Sequence, residues 1–403
     1  MKIRTIKIQN FRGISEATIE KLDPKLNLLM GVNGAGKSSV LDAIALLLQS
    51  YTARLTSSAG RGLSISLYDI KKHTQGCKLI IELDNEIHWT RYRNRSLIKS
   101  VGGDLSQLYE YTDPIRFYLD SNKPICLPVI AHYGVNRAVS GMTPKFIYTR
   151  SMMIEAGKPS DTYKNWWNRG AVYNDFFRWF KEEEADENRN RILNPEYRNR
   201  GLQAIREAMK VVFPEYSEMG MLTGFQLGIK KEGENLPFEI LSDGEKCYIT
   251  LVCDIVRRLT IANPKGDILQ GEGIVLIDEI DLHLHPSWEA TVMEKLAQTF
   301  PNIQFIVSAH SPLVASHFDG KVYGLRNGNI DPFPRIFGLD YSTILMEYMG
   351  VRPDNREVST LVDMFRTYQK HNMEKQAQAV YDKLLKLMHN DKDAESIRRL
   401  LQK

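Results

Sequence analysis

Lys37 and Ser38 close the stretch Gly31-Val32-Asn33-Gly34-Ala35-Gly36-Lys37-Ser38-Ser39, which satisfies G-x-x-x-x-G-K-[ST]. Glycines at that spacing let backbone N–H groups curl round a phosphate, while the lysine reaches the terminal phosphate oxygens and the hydroxyl can ligate Mg²⁺. Asn33, Gly34, Ala35, Gly36, Lys37, Ser38 and Ser39 are therefore candidate phosphate-binding residues, with Ser38 also a candidate metal ligand. An ordinary glycine turn at a helix start would share the glycines, and the flanks decide between the two. Leu26 to Met30 reads as a buried strand and Val40 to Leu48 as a helix, the strand, loop, helix setting that a phosphate loop needs.

A second pair of chemical groups stands at Asp278-Glu279, after the apolar run Ile274-Val275-Leu276-Ile277. An apolar strand ending in adjacent carboxylates places them where ligands bind in parallel α/β sheets, rather than on a surface hairpin. Asp278 is the candidate second holder of Mg²⁺, and Glu279 the candidate base that polarises an attacking water. A third group is His310, at the end of Ile303-Gln304-Phe305-Ile306-Val307-Ser308-Ala309, where it can donate a hydrogen bond to the same phosphate. Ser242, with Glu245 three residues on, makes a capping box at the head of an apolar helix from Cys247 to Leu259. Arg12, in the turn Asn10-Phe11-Arg12-Gly13, can reach a nucleotide base or phosphate, or serve as a surface charge. Tyr133 and Arg137 follow a buried strand from Pro128 and are candidates for reporting the state of the site. His283 and His285 lack a third ligand at suitable spacing, so no metal site is expected at these histidines.

The elements that must hold these groups follow from periodicity. Residues 1–30 read as two or three short strands, with residues 63–70, 78–83 and 87–93 completing an antiparallel meander. The run Arg91, Arg93, Arg95 and Lys99, interleaved with Trp89 and Tyr92, suits either a phosphate backbone or the exposed face of an edge strand. From Asp161 to Phe213 the aromatic residues Trp166, Trp167, Phe176, Phe177, Trp179 and Phe180 recur at helical spacing. They read as the core of a compact helical insertion with no sustained heptad seam. A strand at 222–230, a helix at 288–299 and an edge strand at 322–326 with an Asn327-Gly328 turn come next. The closing stretch is helical, from Leu345 to Leu387.

Composition bounds the rest. The 403 residues are 43% hydrophobic and 25% charged, as in a globular protein of two or three units. No apolar run approaches the ~20 residues of a membrane span, so no membrane partner and a cytoplasmic location are expected. The four cysteines show no C-x-x-C spacing. A net charge of +4 permits nucleic-acid binding without requiring it.

The order phosphate loop, Leu241-Ser242-Asp243-Gly244-Glu245, apolar strand with Asp278-Glu279, then Ala309-His310-Ser311-Pro312 resembles the ABC-type ATPases of the RecF and SMC branch. Within that branch, which includes the overcoming-lysogenization-defect (OLD) type, it looks most like the PtuA-type ATPase subunits of Septu and retron anti-phage systems. The resemblance implies an α/β ABC-ATPase head with a parallel core sheet, an antiparallel meander, a helical insertion and a helical tail. Its segments would be 1–150 with the phosphate loop, 151–220 as insertion, 221–338 with the remaining motifs, and 339–403 as tail. ATP and Mg²⁺ are the implied cofactors. Two heads would sandwich ATP, with Ser242 and Gly244 of one capping the phosphate held by the other, as a dimer or higher oligomer. The implied partners are a separate nuclease or other effector and nucleic acid; the rival reading is a RecF-like repair ATPase that binds DNA directly. Gln75 or the Tyr133 region would take the place of the family's metal-sensing glutamine, and no nuclease motif is expected in this chain.

Overall fold

The computed structural model describes residues 1–95, 101–135, 158–167, 172–223, 226–326, 328–351 and 356–388. The chain divides into two units, Met1–Leu339 and Asp340–Lys403. In the first, β1 (Ile3–Phe11) alternates buried Ile6 and Ile8 with exposed Lys7 and Gln9, the period-two pattern of a sheet wetted on one face. It pairs antiparallel with β2 (Ile14–Ile19). β3 (Leu26–Met30) is buried at every position and leads into α1 (Lys37–Thr56), which extends well past the expected end at Leu48. β4 (Gly76–Leu83), β5 (His88–Asn94) and β6 (Val101–Gly102) complete a five-stranded antiparallel sheet in the order β2-β1-β4-β5-β6. Then come α2 (Ser106–Asp120), β7 (Val129–Tyr133), α3 (Val172–Leu193) and α4 (Arg200–Val212).

A small antiparallel sheet follows, of β8 (Tyr216–Met221), β9 (Leu227–Lys231) and β10 (Glu234–Pro237), and after it α5 (Asp243–Ala262). β11 (Gly273–Ile277), α6 (Pro286–Glu289), α7 (Val292–Thr299), β12 (Ile303–Ser308), α8 (Pro312–Ser316), β13 (Lys321–Arg326) and β14 (Asn329–Pro332) end the unit. The core sheet runs β14-β13-β3-β12-β11-β7. All its pairings are parallel except β13 with β14. β3, β7, β11 and β12 are buried throughout, as strands covered on both faces must be, so they read as unbroken apolar runs. α1 touches both large sheets and is buried nearly all round, which explains why its apolar residues do not keep to one face. The expected α/β head, with its parallel core sheet and antiparallel meander, is the fold observed.

Five local expectations differ. Residues 63–70 are not a strand: they run irregularly into a turn of 3₁₀ helix at Leu67–Asp69, capped by Ser66. The cause lies in β5, where Arg91 donates to Arg61 O and Leu63 O, Arg93 to Ile65 O, and Arg95 to Ile70 O and Thr74 O. These arginines are backbone tethers, which serves neither a phosphate backbone nor a solvent face; Lys99 lies outside the described residues. The strand expected at 222–230 is two strands, β8 ending at Met221 and β9 beginning at Leu227. The helix expected at 288–299 breaks between Glu289 and Val292. β13 is no edge strand, because β3 takes its second side and leaves β14 at the edge. Of the aromatic residues of the insertion, Trp166, Phe176 and Phe180 are buried, as a core reading requires, while Trp167 is 46% exposed.

In the second unit, α9 (Tyr341–Thr343) is capped by Asp340. α10 (Arg356–Lys370) and α11 (Glu374–Met388) pack as a hairpin around Leu361, Val362, Val380 and Leu384. No helix among the described residues is long and apolar enough to cross a membrane.

Candidate functional site

The phosphate loop joins the C-terminal end of β3 to the N-terminus of α1. A Cβ on Gly31 would lie 2.5 Å from Leu325 O, so only glycine lets the chain leave β3 beside β13. Gly36 caps α1 at φ 108°, a left-handed conformation that favours glycine. Lys37, Ser38 and Ser39 form the first turn of α1, where backbone N–H groups have no acceptor within the helix and the dipole is positive. Lys37 is 5% exposed, and its Nζ donates to Gly31 O (2.8 Å) and Val32 O (3.2 Å), folding the side chain over the loop. Burial lowers its pKa, against the pull of Glu279, Asp278 and Asp281 toward the charged form.

Those carboxylates come from the end of β11. Because β12 runs parallel beside it, Ser308 stands next to Asp278 and serves two groups at once. Its Oγ donates to Asp278 Oδ1 (2.6 Å) and accepts the backbone N–H of Glu279 (2.8 Å). Glu279 sits at φ 49°, an uncommon conformation for a glutamate, and one that concentrates at functional sites. His310 Nε2 lies 3.6 Å from Glu279 Oε1, beyond hydrogen-bond range, with both side chains about one-third exposed to the cleft. Asn33, Gly34, Gly36, Lys37, Ser38, Ser39, Glu279 and His310 line one open cleft. Asp278 is 4% exposed beside it.

The remaining candidates lie elsewhere. The Arg12 guanidinium bridges Asp69 Oδ1 (2.9 Å) and Asp42 of α1, so it is held by carboxylates and does not line the cleft. Behind it His132 of β7, 3% exposed, has Nε2 3.9 Å from Asp42 Oδ1; burial pushes its pKa down to about 4, with Asp278 pulling the other way. The side chain of Tyr133 turns away from the cleft. Its OH donates to Asp254 Oδ2 (2.8 Å) in α5. Gln75 is exposed in the turn before β4, and Arg137 lies outside the described residues.

Ser242 caps α5, accepting the N–H of Glu245, while Glu245 accepts the N–H of Ser242 (2.8 Å). The small sheet reinforces this box: Tyr216 OH (2.5 Å) and Lys231 Nζ (2.7 Å) both donate to Glu245 Oε1. Burial would raise the Glu245 pKa, yet the hydrogen bonds from Lys231, Tyr216 and Ser242 hold it down to about 2. Gly244 presses on the turn after Glu279, where a Cβ would meet His283 O at 2.0 Å. Further along α5, Asp254 accepts from Arg257 and Arg258 as well as Tyr133, all buried, and the guanidiniums hold its pKa down against burial.

Sequence reasoning missed Ser308, Asp281, His132 and the partners of Glu245, which become neighbours only through sheet register and crossovers. Ser308, at the end of the apolar run before Ala309-His310, was the one within reach of a pattern. Hard oxygen donors at Ser38 and Asp278 fit Mg²⁺, which keeps much of its water and takes few protein ligands.

An AAA domain family model matches residues 5–208, and a second AAA domain model matches residues 153–316. The Retron Ec83 probable ATPase of Escherichia coli is 30% identical over 91% of this chain and 80% of that protein. The Retron Vc95 probable ATPase of Vibrio cholerae serotype O1 biovar El Tor is 30% identical over 78% of this chain and 71% of that protein. Septu protein PtuA of Bacillus mycoides (strain KBAB4) is 28% identical over 79% of this chain and 40% of its own length. The resemblance drawn from the motifs is borne out by these relatives.

Proposed function

The chain belongs to the AAA domain family, and from that premise, together with its similarity to two retron probable ATPases, we propose that it binds and hydrolyses ATP with Mg²⁺ to control a separate effector. The observation that carries this reading is the convergence of Lys37 and Ser38 with Glu279 and His310 on one cleft. Asn33 to Ser39 bind the phosphates, with Lys37 leaving its two carbonyl partners for phosphate oxygens. Ser38 and Asp278 hold Mg²⁺, which when bound neutralises charge on the phosphates. Glu279 orients and polarises the attacking water, and His310 donates a hydrogen bond to the phosphate that leaves. Arg12 exchanges a carboxylate partner for the nucleotide.

Two copies then enclose ATP between the cleft of one and Ser242 and Gly244 of the other, giving a dimer or higher oligomer. The capped N-terminus of α5, with its capping hydroxyl and helix dipole, supports that role. Closure with ATP and opening on hydrolysis bias a partner, since only contacts made to the γ-phosphate distinguish the two states. The similarity to retron and Septu proteins supports an anti-phage setting; a nuclease or other effector in a separate chain, nucleic acid as a further partner and a cytoplasmic location complete the proposal. Functionally the chain falls into 1–150, 151–220, 221–338 and 339–403, carrying the phosphate loop, the insertion, the other motifs and the tail.

Titration of a fluorescent ATP analogue tests the reading. The unmodified chain binds it, and Lys37→Ala loses about 100-fold in affinity, the worth of ~3 kcal/mol from charged hydrogen bonds to phosphate. Equal affinity in the two proteins refutes the site.

A further inference from the structure

His310 is the group of the cleft whose position its own strand does least to fix, because it lies two residues beyond the end of β12. Its surroundings supply what the sheet does not. The backbone N–H of His310 donates to Asp281 Oδ2 (2.9 Å), and the hydroxyl of the next residue, Ser311, donates to Glu289. Both carboxylates belong to the segment that follows Glu279, so the water-activating side and the phosphate-sensing side of the cleft are tied to each other through the backbone. Ile280 N–H donates to Ser308 O (2.9 Å), and Leu284 N–H to Asp281 O (3.1 Å), which fixes the turn that presents Asp281. Ser311 Oγ also accepts from Leu313 and Val314 N–H, so Glu289 holds the cap of α8 as well as the loop.

We propose that Asp281 and Glu289 are positioning residues that hold His310 against Glu279, clamping its loop on both sides of the imidazole. The proposal rests on the reading of Glu279 and His310 as partners in ATP hydrolysis, and it adds two residues with no part in that reading. Asp281 carries a feature that a simple backbone anchor does not need. Its second oxygen, Oδ1, is shielded from solvent and has no hydrogen-bond partner. Satisfying one N–H takes only an amide oxygen, and a carboxylate with one oxygen unpaired is the costlier choice. What the charge adds is a stronger, charge-assisted bond to the His310 N–H and a field at Lys37. The 3.6 Å between His310 Nε2 and Glu279 Oε1 is then a set spacing: the clamp keeps the imidazole at the cleft, beside the carboxylate it faces.

Two measurements on the full chain test this. In the unliganded protein, amide hydrogen exchange at residues 309–312 rises about tenfold in Asp281→Ala and in Glu289→Ala, because the loop opens locally. Asp281→Asn, whose amide oxygen still accepts the N–H, stays within about threefold of the unmodified chain. In steady-state hydrolysis, Asp281→Ala lowers kcat about 10- to 100-fold with KM little changed, and this loss vanishes when His310→Ala is already present. Unchanged exchange in both alanine variants overturns the clamp. A loss of the same size in the His310→Ala background overturns action through His310 and leaves a merely structural role. Exchange is read without nucleotide, so a chain with no turnover would refute the proposed function while the clamp stood or fell on its own.

Discussion

Replacing Glu245 by glutamine isolates the charge that fixes the N-terminus of α5. The side chain keeps its shape, and its amide oxygen can still accept the Ser242 N–H, but the ion pair with Lys231 is lost and the bond from Tyr216 weakened. A carboxyl held at about 2 against an ordinary 4.5 corresponds to roughly 3 kcal/mol at neutral pH. The side chain is 18% exposed, and solvent screening brings the expected loss to about 1–2 kcal/mol. The folded-state pKa lies below the unfolded one, so the contribution is fully present above about 4.5 and fades as pH falls toward about 2. Urea denaturation of both proteins at a series of pH values is the assay. The gap between them should hold constant from about pH 8 to 5.5 and narrow below about 4.5. Equal stability at pH 7, or a gap that widens on acidification, would refute the argument that this carboxylate organises the turn.

Two further outcomes follow from the same helix. Asp254→Ala strands two buried guanidiniums, Arg257 and Arg258, and should cost about 3–5 kcal/mol in urea denaturation; a loss under about 1 kcal/mol would mean the arginines find other partners. Ser242→Arg should bind ATP within about threefold of the unmodified chain yet lose ATP-dependent association, and association that persists by light scattering would count against a shared site.

The placement of the candidate groups was legible where it is local. The phosphate loop, the Asp278-Glu279 pair and His310 each end a buried strand of the parallel sheet, so an apolar run followed by polar residues marked all three. The capping box of Ser242 and Glu245 was legible for the same reason, since its two members lie within one turn. What failed was whatever depends on distant partners. β13, with a turn to β14, reads as an edge hairpin until β3, almost three hundred residues earlier, pairs on its other side. The alternating arginines of β5 look like a charged face, because nothing in their spacing announces that residues 61–74 must be tethered by them. Tyr133 ends a buried strand that pairs beside β11, but strand alternation sends its side chain to Asp254. Arg12 reads as a nucleotide contact or a surface charge, because nothing near it in sequence announces the carboxylates of Asp42 and Asp69 that it bridges.

The most direct test is the mass in solution of Glu279→Gln, read by light scattering with and without ATP and Mg²⁺. Removing the charge of Glu279 while keeping its size should leave nucleotide binding intact and slow hydrolysis about 100-fold or more. ATP should then drive the variant into a larger assembly that persists, whereas the unmodified chain passes through it transiently. Turnover equal to that of the unmodified chain, or nucleotide bound with no change in mass, would contradict the claim that ATP closes this protein upon itself.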